Sequence, residues 1–138
     1  MSAVLIASIT ELCVADHNND PEALRGWLAN KTPESVAEWF TSRSSTILVA
    51  ECDGEVAAVG AYNPAREITL NYVSPRHRFA GVSKAMLAAL EAGLGPGEAR
   101  LDATKTARQF YAAAVWEGNA TPQSHGGITC FAMRKLLR

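Results

Sequence analysis

Excess charge of either sign is missing from this sequence. Thirteen Lys and Arg against fourteen Asp and Glu leave a net charge of −1, too little for broad attraction to nucleic acid or an anionic membrane. Any anion site must therefore be a local gathering of basic groups. Cysteine is scarce. Cys13, Cys52 and Cys130 are odd in number, widely separated and form no CxxC pair, which fits reduced core thiols in a cytoplasmic protein. No histidine or carboxylate stands at ligand spacing around them, so no metal is expected. Long apolar runs are absent too. Met1–Ile9 is apolar but has no basic n-region, so it reads as no signal peptide, and no stretch of ~20 apolar residues could span a bilayer. Linkers, repeats and low-complexity segments are also lacking.

What remains is the composition of an ordinary globular chain, 48% hydrophobic and 20% charged over 138 residues. That length suits one compact domain, 1–138, and is short for two. Residues 3–16 are apolar but ambiguous between strand and helix. Asp20-Pro21-Glu22 is a helix start, a capping side chain followed by proline at the first helical position, and Leu24, Trp27 and Leu28 share a face. Thr32-Pro33-Glu34 repeats the signal, with Val36, Trp39 and Phe40 as its apolar stripe. Two short helices joined by Asn30-Lys31 are expected.

Thr46–Cys52 and Glu55–Tyr62 are β-rich runs around Asp53-Gly54, a pair that favours a tight hairpin turn. Glu67–Val73 alternates: Ile68, Leu70 and Tyr72 should face one way, Glu67, Thr69 and Asn71 the other. From Phe79 to about Leu94 the period becomes helical, with Val82, Met86, Leu90 and Leu94 four apart. Gly93, Gly95, Pro96 and Gly97 stop that helix. A strand near Ala99–Ala103, a helix from Thr106 to Trp116 and a final strand near Ile128–Lys135 complete the order. The expectation is an α/β (α+β) fold, a mixed sheet with helices on both faces.

The segment Leu70 to Leu87 carries the chemistry. It reads as strand, proline turn, then a helix whose first turn holds glycine and serine. The first amides of a helix lack internal partners, and the dipole puts partial positive charge there. Small residues at Ala80, Gly81 and Ser83 allow close approach, while Arg76, Arg78 and Lys84 add charge. Such a corner is a seat for a pyrophosphate.

Arg78-Phe79-Ala80-Gly81-Val82-Ser83 resembles the R/Q-x-x-G-x-G/A loop of the GCN5-related N-acetyltransferase (GNAT) family, with the usual V-x-P before it. Ala107-Arg108-Gln109-Phe110-Tyr111 resembles the family's second block, a helix whose aromatic pair ends in tyrosine. Met133-Arg134-Lys135-Leu136 is similar to its closing strand. The resemblance runs from about residue 46 to the end and implies a mostly antiparallel sheet. Two departures stand out: Ser83 replaces the commoner glycine or alanine, and Val115-Trp116 replaces the glycine that usually follows the Phe-Tyr helix.

The resemblance implies N-acetyl transfer from acetyl-CoA to an amine of a small molecule, amino acid or peptide, directly in a ternary complex. It puts the pyrophosphate on the amides of Arg78, Phe79, Ala80, Gly81, Val82 and Ser83, beside Lys84. It lays the pantetheine arm along Tyr72 and Val73 by strand addition, where a backbone N–H could stabilise an oxyanion. Tyr111 is implied as the acid that protonates the departing thiolate. Glu67 is implied as the base, against a strand-end pairing with Arg66 or solvent. It lies ~13 Å along an ideal strand from Asn71, so it would act through a water oriented by Thr69 and Asn71.

Other candidates are weaker in chemistry. His77 could stand beside the adenosine phosphate, whereas His17 and His125 read as loop residues. Lys105 and Arg108 could reach a phosphate or simply decorate a helix. Trp27 and Trp39 could wall the acceptor cleft or fill core. Asp16, Asp20 and Glu22 could attract a cation. No cysteine has an evident neighbouring base, which disfavours an acyl-cysteine. Two competing classes are a non-catalytic acyl-CoA-binding module and a nucleic-acid binder using Arg76-His77-Arg78, the latter too small a basic track. A homodimer is the assembly the family resemblance suggests.

Overall fold

A computed structural model of the chain describes residues 2–41, 45–77, 81–118, 122–125 and 128–138, with the side chains of Trp39, Phe40, Thr41 and His125 outside that description. Four helices come first: α1 Ser2–Leu12, α2 Val14–His17, α3 Pro21–Leu28 and α4 Pro33–Thr41. The apolar start is therefore helical. Leu5, Ser8 and Ile9 are buried while Ile6, Thr10 and Glu11 are exposed, a 3.6-residue period. A short apolar run does not declare its period in sequence, because strand and helix bury such runs equally well. Asp20 accepts from Glu22 N at 3.3 Å and caps α3 as expected.

Strands β1 Thr46–Cys52 and β2 Glu55–Tyr62 form the anticipated hairpin. Cys52 pairs with Glu55 across a two-residue turn in which Asp53 (φ 53°) and Gly54 (φ 79°) are both left-handed. β3 Glu67–Val73 follows, then a 3-10 turn Pro75–His77, α5 Val82–Leu94, β4 Gly97–Thr104, α6 Lys105–Ala113, and β5 Glu117–Gly118, β6 Gln123–His125 and β7 Ile128–Leu137. Among the described residues these strands form one seven-stranded sheet in the order β1-β2-β3-β4-β7-β5, with β6 also on β7. Among the described residues only β3 and β4 run parallel.

Helices cover both faces. On one, Val82, Met86, Leu87 and Leu90 of α5 and Tyr111 of α6 pack with Ile68, Leu101, Ala103 and Met133. On the other, Leu5 of α1 and Val36 of α4 meet Val59, with Leu70 and Tyr72 against them. Each large side chain buried on α5 contributes roughly 1.5–3 kcal/mol. That outweighs the ~1 kcal/mol cost of a glycine inside a helix. A Cβ at Gly93 would meet the Tyr62 hydroxyl at 2.7 Å, so any side chain there would have to displace that ring. Among the described residues no helix is long and apolar enough to cross a membrane.

Candidate active site

Alternation along β3 breaks at Thr69. Ala61 pairs with Leu70 but Tyr62 pairs with Ile68, so Thr69 is the extra residue of a β-bulge. The bulge shifts the alternation by one residue, so even-numbered residues before it and odd-numbered residues after it share a face. Ile68 and Val73 pack towards α5, whereas Leu70 and Tyr72 pack towards α1 and α4. The expectation that Ile68, Leu70 and Tyr72 share a face is thus corrected. Asn71 now points to the α5/α6 side and donates to Tyr111 Oη at 3.2 Å.

The bulge also ends the parallel pairing. Glu67 pairs with Arg100 and Ile68 with Leu101, the only β3–β4 partners among the described residues. Beyond them the strands part. A cavity of about 430 Å³ opens there, lined by Thr69–Val73 of β3, Leu101, Asp102 and Thr104 of β4, Gly81–Lys84, and Phe110 and Tyr111 of α6. Ser8, Leu12 and Cys13 close it from α1 and the α1–α2 junction. Gly81 caps α5 with φ 76°, a conformation that favours glycine. The first intrahelical bond of α5 runs from Ala85 N to Gly81 O, so the amides of Val82, Ser83 and Lys84 precede the ladder. A Cβ on Gly81 would meet nothing within 4 Å. Open space, early helix amides and the Lys84 ammonium suit an anionic diphosphate. Arg78, Phe79 and Ala80, also expected in this seat, lie outside the described residues.

Tyr111 is held on three sides. Asn71 donates to its oxygen, which leaves the phenolic proton to be given elsewhere. Phe110 and Trp116 meet its ring edge-on, with centroids 5.2 and 6.0 Å away. Trp116 arrives there through a Schellman turn: Trp116 N donates to Tyr111 O and Val115 N to Ala112 O. Burial pushes the Tyr111 hydroxyl up to about 12, with the Asn71 hydrogen bond acting in the opposite direction. It stays a protonated donor throughout the neutral range.

Several expected residues are elsewhere. Glu67 is not among the residues that line the cavity. It sits at the closed end of the strand pair, its carboxylate 3.7 Å from Arg100 Nη2. The pairing partner is Arg100, because Arg66 donates instead to Leu94 O, Gly95 O and Glu98 O. His77 and Arg76 turn to Glu55, at 3.6 and 3.3 Å, and are not part of the lining. His17 is no loop residue. It is 1% exposed, with Nε2 donating to Ile9 O at 2.9 Å and Nδ1 accepting from Asn19 N at 3.0 Å. Asp16 accepts from the Thr106 amide at 3.2 Å and from its hydroxyl, and so anchors the start of α6. Asp20 serves as the α3 cap. Trp27 donates to Tyr72 Oη at 3.3 Å. Arg108 stacks over Phe131 at 4.0 Å.

Sequence reasoning missed Asp102, Cys13 and Ser8 as cavity residues. The burial of Ala99, Leu101 and Ala103 leaves Asp102 on the opposite face of β4. That alternation is visible in sequence, but which strand borders the gap is a matter of topology. Cys13 is a poor nucleophile, since burial, then the Asp16 charge, push its thiol up to about 12.

The sheet thus parts between its two parallel strands, beside a glycine-capped helix, and the cavity lies at that parting. The family model described as acetyltransferase (GNAT) domain matches residues 14–137. The chain belongs to the GNAT acetyltransferase family, whose chemistry is acyl transfer from an acyl-coenzyme A. No curated protein sequence matches it. Among solved structures it is similar to a protein from Rhodopseudomonas palustris described as a GCN5-related N-acetyltransferase and as "Aminotransferase, Class-II". Identity is 22% and TM-score 0.83, over 99% of this chain and 87% of that one. It is also similar to the PaiA N-acetyltransferase of Thermoplasma acidophilum in complex with coenzyme A, at 18% identity and TM-score 0.74, over 98% and 92% of the two chains. A GNAT acetyltransferase from Elizabethkingia anophelis with acetyl-CoA bound aligns at 14% identity and TM-score 0.55, over 77% and 84%. At these identities the likeness is one of fold.

Proposed function

We propose that this protein is an N-acetyltransferase that moves the acetyl group of acetyl-CoA to an amine of a small molecule, amino acid or peptide, within a ternary complex. The observation that carries the reading is the parting of β3 and β4 after Ile68 and Leu101, directly beside the Gly81 cap of α5. Family membership and the coenzyme A or acetyl-CoA held by two structural neighbours support the choice of cosubstrate.

Acetyl-CoA would supply a thioester, a carbonyl activated by a good leaving group. The early amides of α5, from Val82 to Lys84, and the Lys84 side chain would hold its diphosphate, and the Tyr72–Val73 edge would pair with its arm. A β3 backbone N–H facing the gap offers a donor to the carbonyl oxygen as it gains charge. Tyr111, oriented by Asn71, gives its proton to the departing sulfur. Tyr111→Phe should lower kcat by about 10²-fold, in the usual range for an acid–base group, while acetyl-CoA affinity is kept. Thiol release with an amine panel and calorimetry together check this; unchanged turnover would remove Tyr111 from the mechanism.

A further inference from the structure

Glu67 is not a lining residue of the cavity, so the destination of the acceptor's proton has to be sought among the groups that are. Amide formation requires the nitrogen to lose a proton as the new bond forms, and an enzyme of this kind speeds that loss with a nearby basic group. Among the described residues that line the cavity, Asp102 is the sole carboxylate and no histidine is present. The remaining titratable groups there are ill suited. Lys84 is a cation at the diphosphate end, while Cys13, Tyr72 and Tyr111 are all pushed upward by burial and stay protonated.

We infer that Asp102 is the proton acceptor of this site, binding the acceptor amine and taking its proton as the nitrogen is acylated; this rests on the N-acetyltransferase reading above. Its position supports the role. Ile68 and Leu101 are the last paired residues of β3 and β4, so Asp102 is the first residue of β4 at the mouth of the gap. Leu101 and Ala103 are buried against the α5/α6 core, so the Asp102 side chain projects from the other face. There it neighbours Cys130, whose thiol is pushed up by burial and then by the charges of Asp102 and Asp16. Cys130 packs with Ala23 and Trp27 of α3.

Acid and base therefore lie on opposite faces of the parted sheet. The amine arrives from the α1–α4 side at Asp102, and the thiolate departs on the α6 side at Tyr111. A C–N bond forms and the C–S bond breaks. An amine that arrives as an ammonium ion first gives one proton to water by way of Asp102, which frees its lone pair; as the C–N bond forms its second proton passes to Asp102, the Tyr111 proton passes to sulfur, and exchange with water returns both groups to their starting states. The same carboxylate selects for amines that approach as cations over neutral nucleophiles such as alcohols.

The test measures thiol release from acetyl-CoA by the full chain with L-lysine, spermidine, 2-phenylethylamine and glycylglycinamide. With whichever of these turns over, Asp102→Asn should lower kcat by about 10²-fold or more, with acetyl-CoA affinity by calorimetry within about threefold of wild type. Asp102→Glu, which keeps the carboxylate, should recover a measurable part. An Asp102→Asn enzyme with more than about a tenth of wild-type kcat overturns the assignment and leaves the N-acetyltransferase reading standing. Loss of acetyl-CoA affinity in that variant also overturns it, since the residue would then be structural. A wild-type chain that binds acetyl-CoA yet acylates none of the four amines overturns both readings.

Discussion

Val115 shows what one residue reveals about this site. The family's glycine after the Phe-Tyr helix is replaced here, and the structure keeps the turn that glycine would make. Val115 adopts φ 70° at the left-handed position of the Schellman turn. A β-branched side chain there costs roughly 1–2 kcal/mol. Since Val115 is 75% exposed, little burial repays it. What is gained is Trp116 delivered onto Tyr111. Val115→Gly should relieve the strain, less the extra chain entropy of glycine, and stabilise by about 0.5–1 kcal/mol. Thermal unfolding should then move up by about 2–4 °C; an unchanged or lower midpoint would show that the turn is unstrained.

Among elements, the join between α5 and β4 is the least expected and the most consequential. Arg66, itself at φ 65°, donates Nη1 to Leu94 O at 2.7 Å, Nη2 to Gly95 O at 2.8 Å and Nε to Glu98 O at 2.8 Å. It thus satisfies carbonyls at the end of a helix, where a cation is also favoured by the dipole. The clamp fixes where β4 begins, and with it the register that brings Arg100 to Glu67 and Asp102 to the edge of the cavity. Arg66→Ala should cost about 2–3 kcal/mol, less than the sum of three charged bonds because the guanidinium is partly exposed. The midpoint should fall by about 8–12 °C; a fall under about 3 °C would mean that the turn holds itself.

These elements explain what was legible in the sequence. The hairpin at Asp53-Gly54, the α3 cap at Asp20 and the α5 stripe follow from local chemistry, and the structure has them all. Tyr111 and Gly81 were legible because short motifs carry them. The positions of Glu67 and Asp102 relative to the cavity were not, because they depend on a bulge and on where two distant strands stop pairing. A bulge has no composition signature in Ile68-Thr69-Leu70. Nor does an apolar stretch such as Val4–Ile9 declare its period.

At the scale of the whole molecule, β3 and β4 part beyond Ile68 and Leu101, with α5 and α6 on one face of the sheet and α1 and α4 on the other. The most direct measurement is a backbone amide NMR titration of the full chain with acetyl-CoA. Shifts should saturate at one equivalent and cluster at Thr69–Val73 and Gly81–Lys84, with smaller changes near Tyr111. No saturable shift, or shifts gathered instead around the groove at Val115 and Leu136, would contradict the account.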